Sequence, residues 1–182
     1  MSLDKELIFA GKTFFVALAV AYLATPLARA LSVRLKILDL PNRRKIHKSA
    51  TPLLGGLAIY AGVILALFFT VRGTRLLLPL ISAGTIIMAV GFINDAKGLS
   101  SNFRLICQTV CALLLIITGS RIDFLPRGLW GDAAEVLITL VWVVGITNAF
   151  NYLDGMDGLA AGSAALNAFC YAFILYSTGQ YY

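Results

Sequence analysis

Residues Asn148–Gly162 read NAFNYLDGMDGLAAG and join two strongly apolar segments. Asp154 and Asp157, preceded by Asn148 and Asn151, fall at three-residue intervals in a neighbourhood otherwise built of Val, Ile, Leu, Ala and Phe. Unpaired charge is costly in such surroundings, and an ionisable residue inside an apolar span is by default a functional candidate. Adjacent members of a three-residue row share a helix face, while Gly155 and Gly158 allow a helix to end and backbone to approach a ligand. The stretch therefore predicts a helix end that carries a phosphate and metal site, with an apolar segment on either side.

Outward from there, composition sets the class. With 59% hydrophobic and 13% charged residues and a mean hydropathy of +0.86, the chain is too apolar for a soluble domain of its length. Apolar segments at Leu7–Leu31, Leu53–Val71, Leu76–Ile93, Phe103–Thr118, Ala133–Tyr152 and Leu159–Tyr176 predict an all-α, polytopic integral membrane protein. It has about six transmembrane helices in a single membrane domain spanning 1–182. Thr25-Pro26 predicts a kink in the first. The run Phe14–Ala24 followed by Ala28-Arg29-Ala30 also imitates a secretory signal. Acidic as well as basic residues precede it, however, and its length approaches that of a spanning helix, so it is expected to be retained.

The net charge of +6 calls for no nucleic acid, because the basic residues gather near segment ends, where they set orientation. Arg29, Arg34, Lys36, Arg43, Arg44, Lys45 and Lys48, with the sole histidine His47, form one basic stretch. The positive-inside rule places that loop in the cytoplasm and the N-terminus outside. Lys97 and Arg104 add to the same side of the count as orientation charges. This alternation brings the basic loop, the Asn94–Leu99 turn and the Asp154/Asp157 turn to one face. A basic loop with Gly55-Gly56 and carboxylates opposite it can hold a phosphorylated substrate through a hard divalent cation. Cys107 and Cys111 share a helix face and Cys170 lies in another segment, a pattern of packing rather than of disulfide or metal ligation. Gly158 and Gly162 form a small-xxx-small pair suited to close helix packing.

Three stretches, RKIHKSATPLLGG (Arg44–Gly56), GFINDAKGLS (Gly91–Ser100) and LVWVVGITNAFNYLDGMDGLAAG (Leu140–Gly162), occur in the order in which they resemble the polyprenyl-phosphate N-acetylhexosamine-1-phosphate transferase family. The last of these and the lead-in LDLPNRRKIH (Leu38–His47) are more similar to the bacterial branch using UDP-N-acetylglucosamine than to the branch using UDP-N-acetylmuramoyl-pentapeptide. The resemblance implies transfer of a sugar 1-phosphate from a UDP-N-acetylhexosamine to a membrane polyprenyl (undecaprenyl) phosphate, with release of UMP. It implies magnesium as the cofactor, with manganese as the alternative, in a multi-pass protein of the inner (plasma) membrane at the start of cell-envelope polysaccharide synthesis. Carried over by motif, Asp154 is the metal carboxylate, and Asp95, Asn94 and Asp157 are catalytic. Lys45, His47, Lys48, Asn148 and Asn151 bind substrate. Self-association is left open.

The chain departs from the family pattern in two ways. Asn94-Asp95 stands where the family usually has Asp-Asp, and family members are nearly twice this length. The chain is therefore expected to be the N-terminal half of a larger transferase, as a fragment or a truncated gene product. Asparagine keeps an acceptor oxygen and adds a donor, and a phosphate monoester near pH 7 needs little help from a base, so Asn94 is expected to be compatible with catalysis. Two other classes compete: a non-catalytic membrane fragment, and a transporter, since intramembrane carboxylates also mark ion pathways. The inverted repeats that would favour transport do not stand out in the sequence.

Overall fold

The computed structural model describes residues 3–39, 50–70, 77–156 and 158–179. Among them the helices are α1 (Leu3–Arg34), α2 (Gly55–Thr70), α3 (Leu78–Lys97), α4 (Ser101–Ile117), α5 (Leu129–Leu153) and α6 (Leu159–Thr178). Each apolar segment is thus helical, as it must be where no water satisfies backbone N–H and C=O groups. The ends differ most, by four residues each, at the starts of α1 and α5, Leu3 and Leu129 rather than Leu7 and Ala133, and at the end of α3, Lys97 rather than Ile93. Four helices, α1 from Leu7 onward, α3, α5 and α6, are long and apolar enough to cross a membrane. The other two, α2 and α4, have 16 and 17 residues. At 1.5 Å per residue they reach about 24–26 Å, short of a hydrocarbon core of about 30 Å.

α1 continues through Pro26 without interruption, and the Thr25 hydroxyl donates to the Ala21 carbonyl at 2.7 Å. Between α1 and α2 lies an element the hydropathy pattern did not announce. β1 (Leu38–Asp39) and β2 (Thr51–Pro52) pair antiparallel, with Leu38 opposite Pro52 and Asp39 opposite Thr51. Two residues per strand are too few to show the period-2 alternation that reveals a strand. The ladder is fastened to α1 by Ser32, which is fully buried. Its hydroxyl donates to the Ile37 carbonyl and accepts from the Leu53 amide.

α1 and α2 form the most extensive helix pair among the described residues. Ala58, Gly62 and Ala66 recur every four residues along α2, and both alanines are buried. A Cβ placed on Gly62 would stand 2.7 Å from the Ala17 carbonyl oxygen and 3.1 Å from the Ala21 Cβ. Small residues let the two backbones touch, which is how helices associate where burial from water supplies no force. At the foot of the pair, Ala28, Ile37, Leu54 and Ala58 make a buried cluster against which Phe92 of α3 packs. By contrast, a Cβ on Gly158 or Gly162 would meet nothing within 4 Å. The small-residue pair noticed in α6 therefore makes no close contact among the described residues, while the working small-xxx-small row is in α2.

At the far ends of α4 and α5, the connecting loop is held by α5 side chains. Oε1 of the buried Glu135 accepts from the amides of Phe124 and Leu125 at 2.9 and 2.8 Å. The Thr139 hydroxyl oxygen accepts from the Ile122 amide at 3.0 Å. Arg121 pairs with Asp132 at 3.0 Å and approaches Glu135 at 3.7 Å.

Candidate active site

The opposite ends of α3, α4 and α5 converge on a cavity of about 220 Å³. α3 contributes Asn94 and Asp95, α4 contributes Arg104, Cys107 and Gln108, and α5 contributes Thr147, Asn151 and Asp154. Local sequence explains the turn that sets α3 against α4. Gly98 adopts a left-handed φ of +68° and its amide bonds the Asn94 carbonyl, a conformation that favours glycine. The Asn94 side-chain oxygen accepts from the Leu99 amide at 3.2 Å, and Ser100 caps α4 by accepting from the Phe103 amide. Asn94 therefore lines the cavity and shapes the turn at once. An aspartate at this position would present the same acceptor to Leu99.

The charges in this cavity sit at helix ends that disfavour them. Asp154 is the C-cap of α5 and Asp95 lies in the last turn of α3, where the helix dipole is negative. Arg104 lies in the first turn of α4, where it is positive. Each placement runs against a preference worth about 0.3–1 kcal/mol. The charges do not neutralise one another directly: Arg104 forms no ion pair with Asp95 or Asp154 among the described residues. Asp39 at β1, Asp95 in α3 and Asp154 at the end of α5 lie near enough for their charges to act on one another. Beside the polar cavity lies an apolar groove of about 190 Å³ between the start of α2 and α3, lined by Leu53, Leu54, Leu57, Met88 and Phe92. The two spaces share Gly91 and Asp95.

Of the residues singled out by sequence, Asn94, Asp95, Asn151 and Asp154 meet in this cavity. Asn148 lies one helical turn behind Asn151. Its Nδ2 donates to the Gln108 Oε1 at 2.7 Å and to the Val144 carbonyl at 2.8 Å, so its donor group is engaged by α4 and by its own helix. Lys45, His47, Lys48 and Asp157 lie outside the described residues. Cys107 and Cys111 are free thiols, Cys107 at the cavity and Cys111 buried. Four lining residues were not foreseen at the cavity: Arg104, counted only as an orientation charge, Cys107, read as packing, and Gln108 and Thr147. The signal that could have found Arg104 and Gln108 is a polar pair at i and i+4 on an otherwise apolar helix, which places both on one face.

Among the described residues no group of three His, Cys, Asp or Glu side chains gathers around one point. Two carboxylates on one cavity nevertheless suit magnesium, which takes one or two carboxylates and completes its shell with water and substrate phosphate oxygens.

Several membrane helices that end around a cavity bearing two carboxylates, a guanidinium and carboxamides define a polytopic membrane protein with a polar site for charged ligands. Comparison with known proteins supplies the family: residues 76–182 match the model of glycosyl transferase family 4, and the chain belongs to that family. It is 31% identical over 98% of its length to the "Probable undecaprenyl-phosphate N-acetylglucosaminyl 1-phosphate transferase" of Bacillus subtilis, of which it covers 51%. It is 32% identical over 96% of its length to the decaprenyl-phosphate N-acetylglucosaminephosphotransferase of Mycobacterium tuberculosis strain H37Rv, covering 46% of that protein. With the undecaprenyl-phosphate alpha-N-acetylglucosaminyl 1-phosphate transferase of Yersinia pestis the identity is 27%, over 99% of this chain and 49% of the relative. The chain thus spans about half the length of the relatives it matches. No solved structure matches it significantly.

Proposed function

We propose that the complete protein transfers N-acetylglucosamine 1-phosphate, or a closely related N-acetylhexosamine 1-phosphate, from its UDP derivative to a polyprenyl phosphate such as undecaprenyl phosphate. The supporting observation is the convergence of Asp95, Asp154 and Arg104 on one cavity in a chain whose relatives are named for polyprenyl-phosphate N-acetylglucosamine phosphotransfer. In this reaction an oxygen of the acceptor phosphate attacks the phosphorus that bears the sugar. The bond from that phosphorus to the bridging oxygen breaks, and its electron pair leaves with UMP. One phosphoanhydride replaces another, so no oxidant, reductant or net water is needed.

Both reactants are anionic, and their mutual repulsion is the barrier the site must lower. Asp154 and Asp95 are the residues that would hold a divalent cation, magnesium by preference with manganese as the alternative. A cation held there would supply positive charge to offset the negative charge that develops on the leaving UMP. Arg104 adds a fixed positive charge on the α4 side, and Asn151, whose Oδ1 accepts from the Arg104 Nη1 at 3.4 Å, orients it. Asp95 stands between the polar cavity and the apolar groove, surroundings that suit a substrate with a phosphate at one end and hydrocarbon at the other. Under this proposal the cavity end of the helices is cytoplasmic in the plasma membrane, where UDP-sugars are available, and the N-terminus is outside. By the motif resemblance, Lys45, His47, Lys48 and Asp157 are assigned to the phosphates and the nucleotide.

The test is incubation of membranes containing the complete reading frame with labelled UDP-N-acetylglucosamine, magnesium and undecaprenyl phosphate. Labelled lipid diphosphate and stoichiometric UMP are expected. Release of UMP without lipid product, or no product with any UDP-N-acetylhexosamine, would reject the proposal.

A further inference from the structure

We propose that Ser32 is a positioning residue: its buried hydroxyl fixes the Leu53–Leu54 wall of the apolar groove beside Asp95, and so sets how tightly the hydrocarbon next to the acceptor phosphate is held. The identity of that hydrocarbon rests on the proposed transfer reaction, whereas the clamp is read from the structure alone.

Hydroxyls on the helices of this protein ordinarily turn back on their own helix. Thr13, Thr25, Thr85 and Thr147 each donate to the carbonyl four residues earlier, the usual outlet for such a group in a helix. Ser32, in the last turn of α1 and fully buried, reaches forward instead. Its hydroxyl donates to the Ile37 carbonyl, and its oxygen accepts from the Leu53 amide at 3.1 Å. Its own carbonyl accepts from the Ile37 amide at 2.9 Å, so both backbone groups of Ile37 end on one residue. The chain reaches this geometry through Lys36, the one non-glycine residue with a left-handed φ, +57°, among the described residues. The Lys36 amide bonds the Val33 carbonyl at 3.2 Å, and the two backbone bonds close α1 in a Schellman motif. A side chain in that region of φ is disfavoured and persists only where the surroundings over-determine it.

The clamp acts where the groove begins. Leu53 follows β2 directly, and with Leu54 it lines the groove together with Met88, Phe92 and Asp95 of α3. Leu54 and Ile37 belong to the buried cluster at the foot of α1 and α2, and Leu53 and Phe92 pack against it. For packing alone, alanine would fill the place of Ser32, as it does at Ala28 and Ala58 of the same cluster. What serine adds is the pair of hydrogen bonds. Without the hydroxyl, the Leu53 amide keeps a single acceptor among the described residues, the Ile37 carbonyl at 3.4 Å, longer than a well-made N–H···O bond. A part-buried amide short of an acceptor is costly, so the wall would shift to recover one. Any such shift of Leu53 changes the fit of a chain lying in the groove.

The experiment uses the full-length protein in lipid nanodiscs, with farnesyl phosphate as a probe that carries hydrocarbon and methyl phosphate as one that does not. Apparent affinities come from the rise of the unfolding midpoint with probe concentration. Ser32→Ala should weaken farnesyl phosphate by roughly three- to tenfold, the scale of one hydrogen bond, and leave methyl phosphate unchanged. Ser32→Cys keeps a weak donor and acceptor and should fall between serine and alanine. Leu53→Ala removes the wall but leaves the clamp, and should reproduce the loss. Amide exchange at Leu53 should quicken in Ser32→Ala. In kinetics, the KM for polyprenyl phosphate should rise while kcat and the KM for the UDP-sugar hold. Equal weakening of both probes, or a rise in both KM values, leaves Ser32 a general structural role and overturns the proposal. So does failure of the wild type to bind farnesyl phosphate, or wild-type affinity for it in Ser32→Ala. Should the Ser32 variants not fold, wild-type affinity in Leu53→Ala overturns it equally. If farnesyl phosphate binds with this dependence on Ser32 but no lipid product forms, the transfer reaction fails while the clamp stands.

Discussion

Glu135 and Asp154 stand near opposite ends of α5. Glu135 is buried, with one oxygen accepting from two loop amides and the other approaching Arg121. Asp154 is exposed at the C-cap, lines the cavity and has no side-chain partner among the described residues. One carboxylate is occupied by partners within the protein, and the other faces the cavity without one among the described residues. Burial alone would point to Glu135, yet the more deeply buried acid is the one whose hydrogen bonds are answered within the protein. What marks Asp154 is an unanswered charge at the helix end that least favours it.

The comparison is sharpest if Asp154 is neutralised. Asp154→Asn is expected to lower transfer by the complete enzyme on the order of 10²-fold or more, the scale of losing a main electrostatic contact in a reacting site. The unfolding midpoint should hardly move. Normal turnover would remove Asp154 from the chemistry. At the other end the expectation reverses. Glu135→Leu should cost about 1–3 kcal/mol for each amide left without its acceptor, read from denaturant or thermal unfolding, while the rate per folded molecule stays near wild type. A loss of rate without loss of stability would break the division between the two ends. Glu135→Gln keeps a carbonyl oxygen for the same amides, so it should destabilise much less than the leucine variant. Equal damage from both would mean that the carboxylate's charge, rather than its acceptor, holds the loop.

The smallest effect is expected at Asn94. Because its side-chain oxygen already serves Leu99, Asn94→Asp should preserve the turn and alter the rate mainly at acidic pH, where the acceptor phosphate, with a second pKa of about 6, becomes protonated. Rate ratios measured from about pH 5.5 to about pH 8.5 bracket that titration. A large gain independent of pH would instead point to metal binding or positioning.

The helical architecture could be read from the sequence because apolar runs of helix length leave the backbone little choice in a membrane. The cavity acids were legible for a related reason: Asp95 and Asp154 are conspicuous against Val, Ile and Leu. Arg104 was not, since a basic residue near a segment end has an adequate explanation in topology, and only the burial of its Nε without a partner distinguishes it. Glu135 lies inside an apolar segment and could have been noticed on the same grounds as Asp154. Its role could not, because its partners are backbone amides of residues ten and eleven positions earlier, and an amide looks the same under every side chain. The β1–β2 ladder was hidden by its brevity, and the alanine and glycine row of α2 because small residues in an apolar run read as filler.

That row gives the α1–α2 pair a distinctive thermal character. Alanine and glycine have no rotamers to lose when they are buried, whereas each Leu or Ile immobilised at an interface gives up about 0.5–1 kcal/mol of entropy. At Ala17, Ala21, Ala58, Gly62 and Ala66 the helices therefore dock with almost no side-chain ordering. The pair resembles a single rigid strut more than two helices joined by interlocking side chains, and warming gains little disorder by prying it apart.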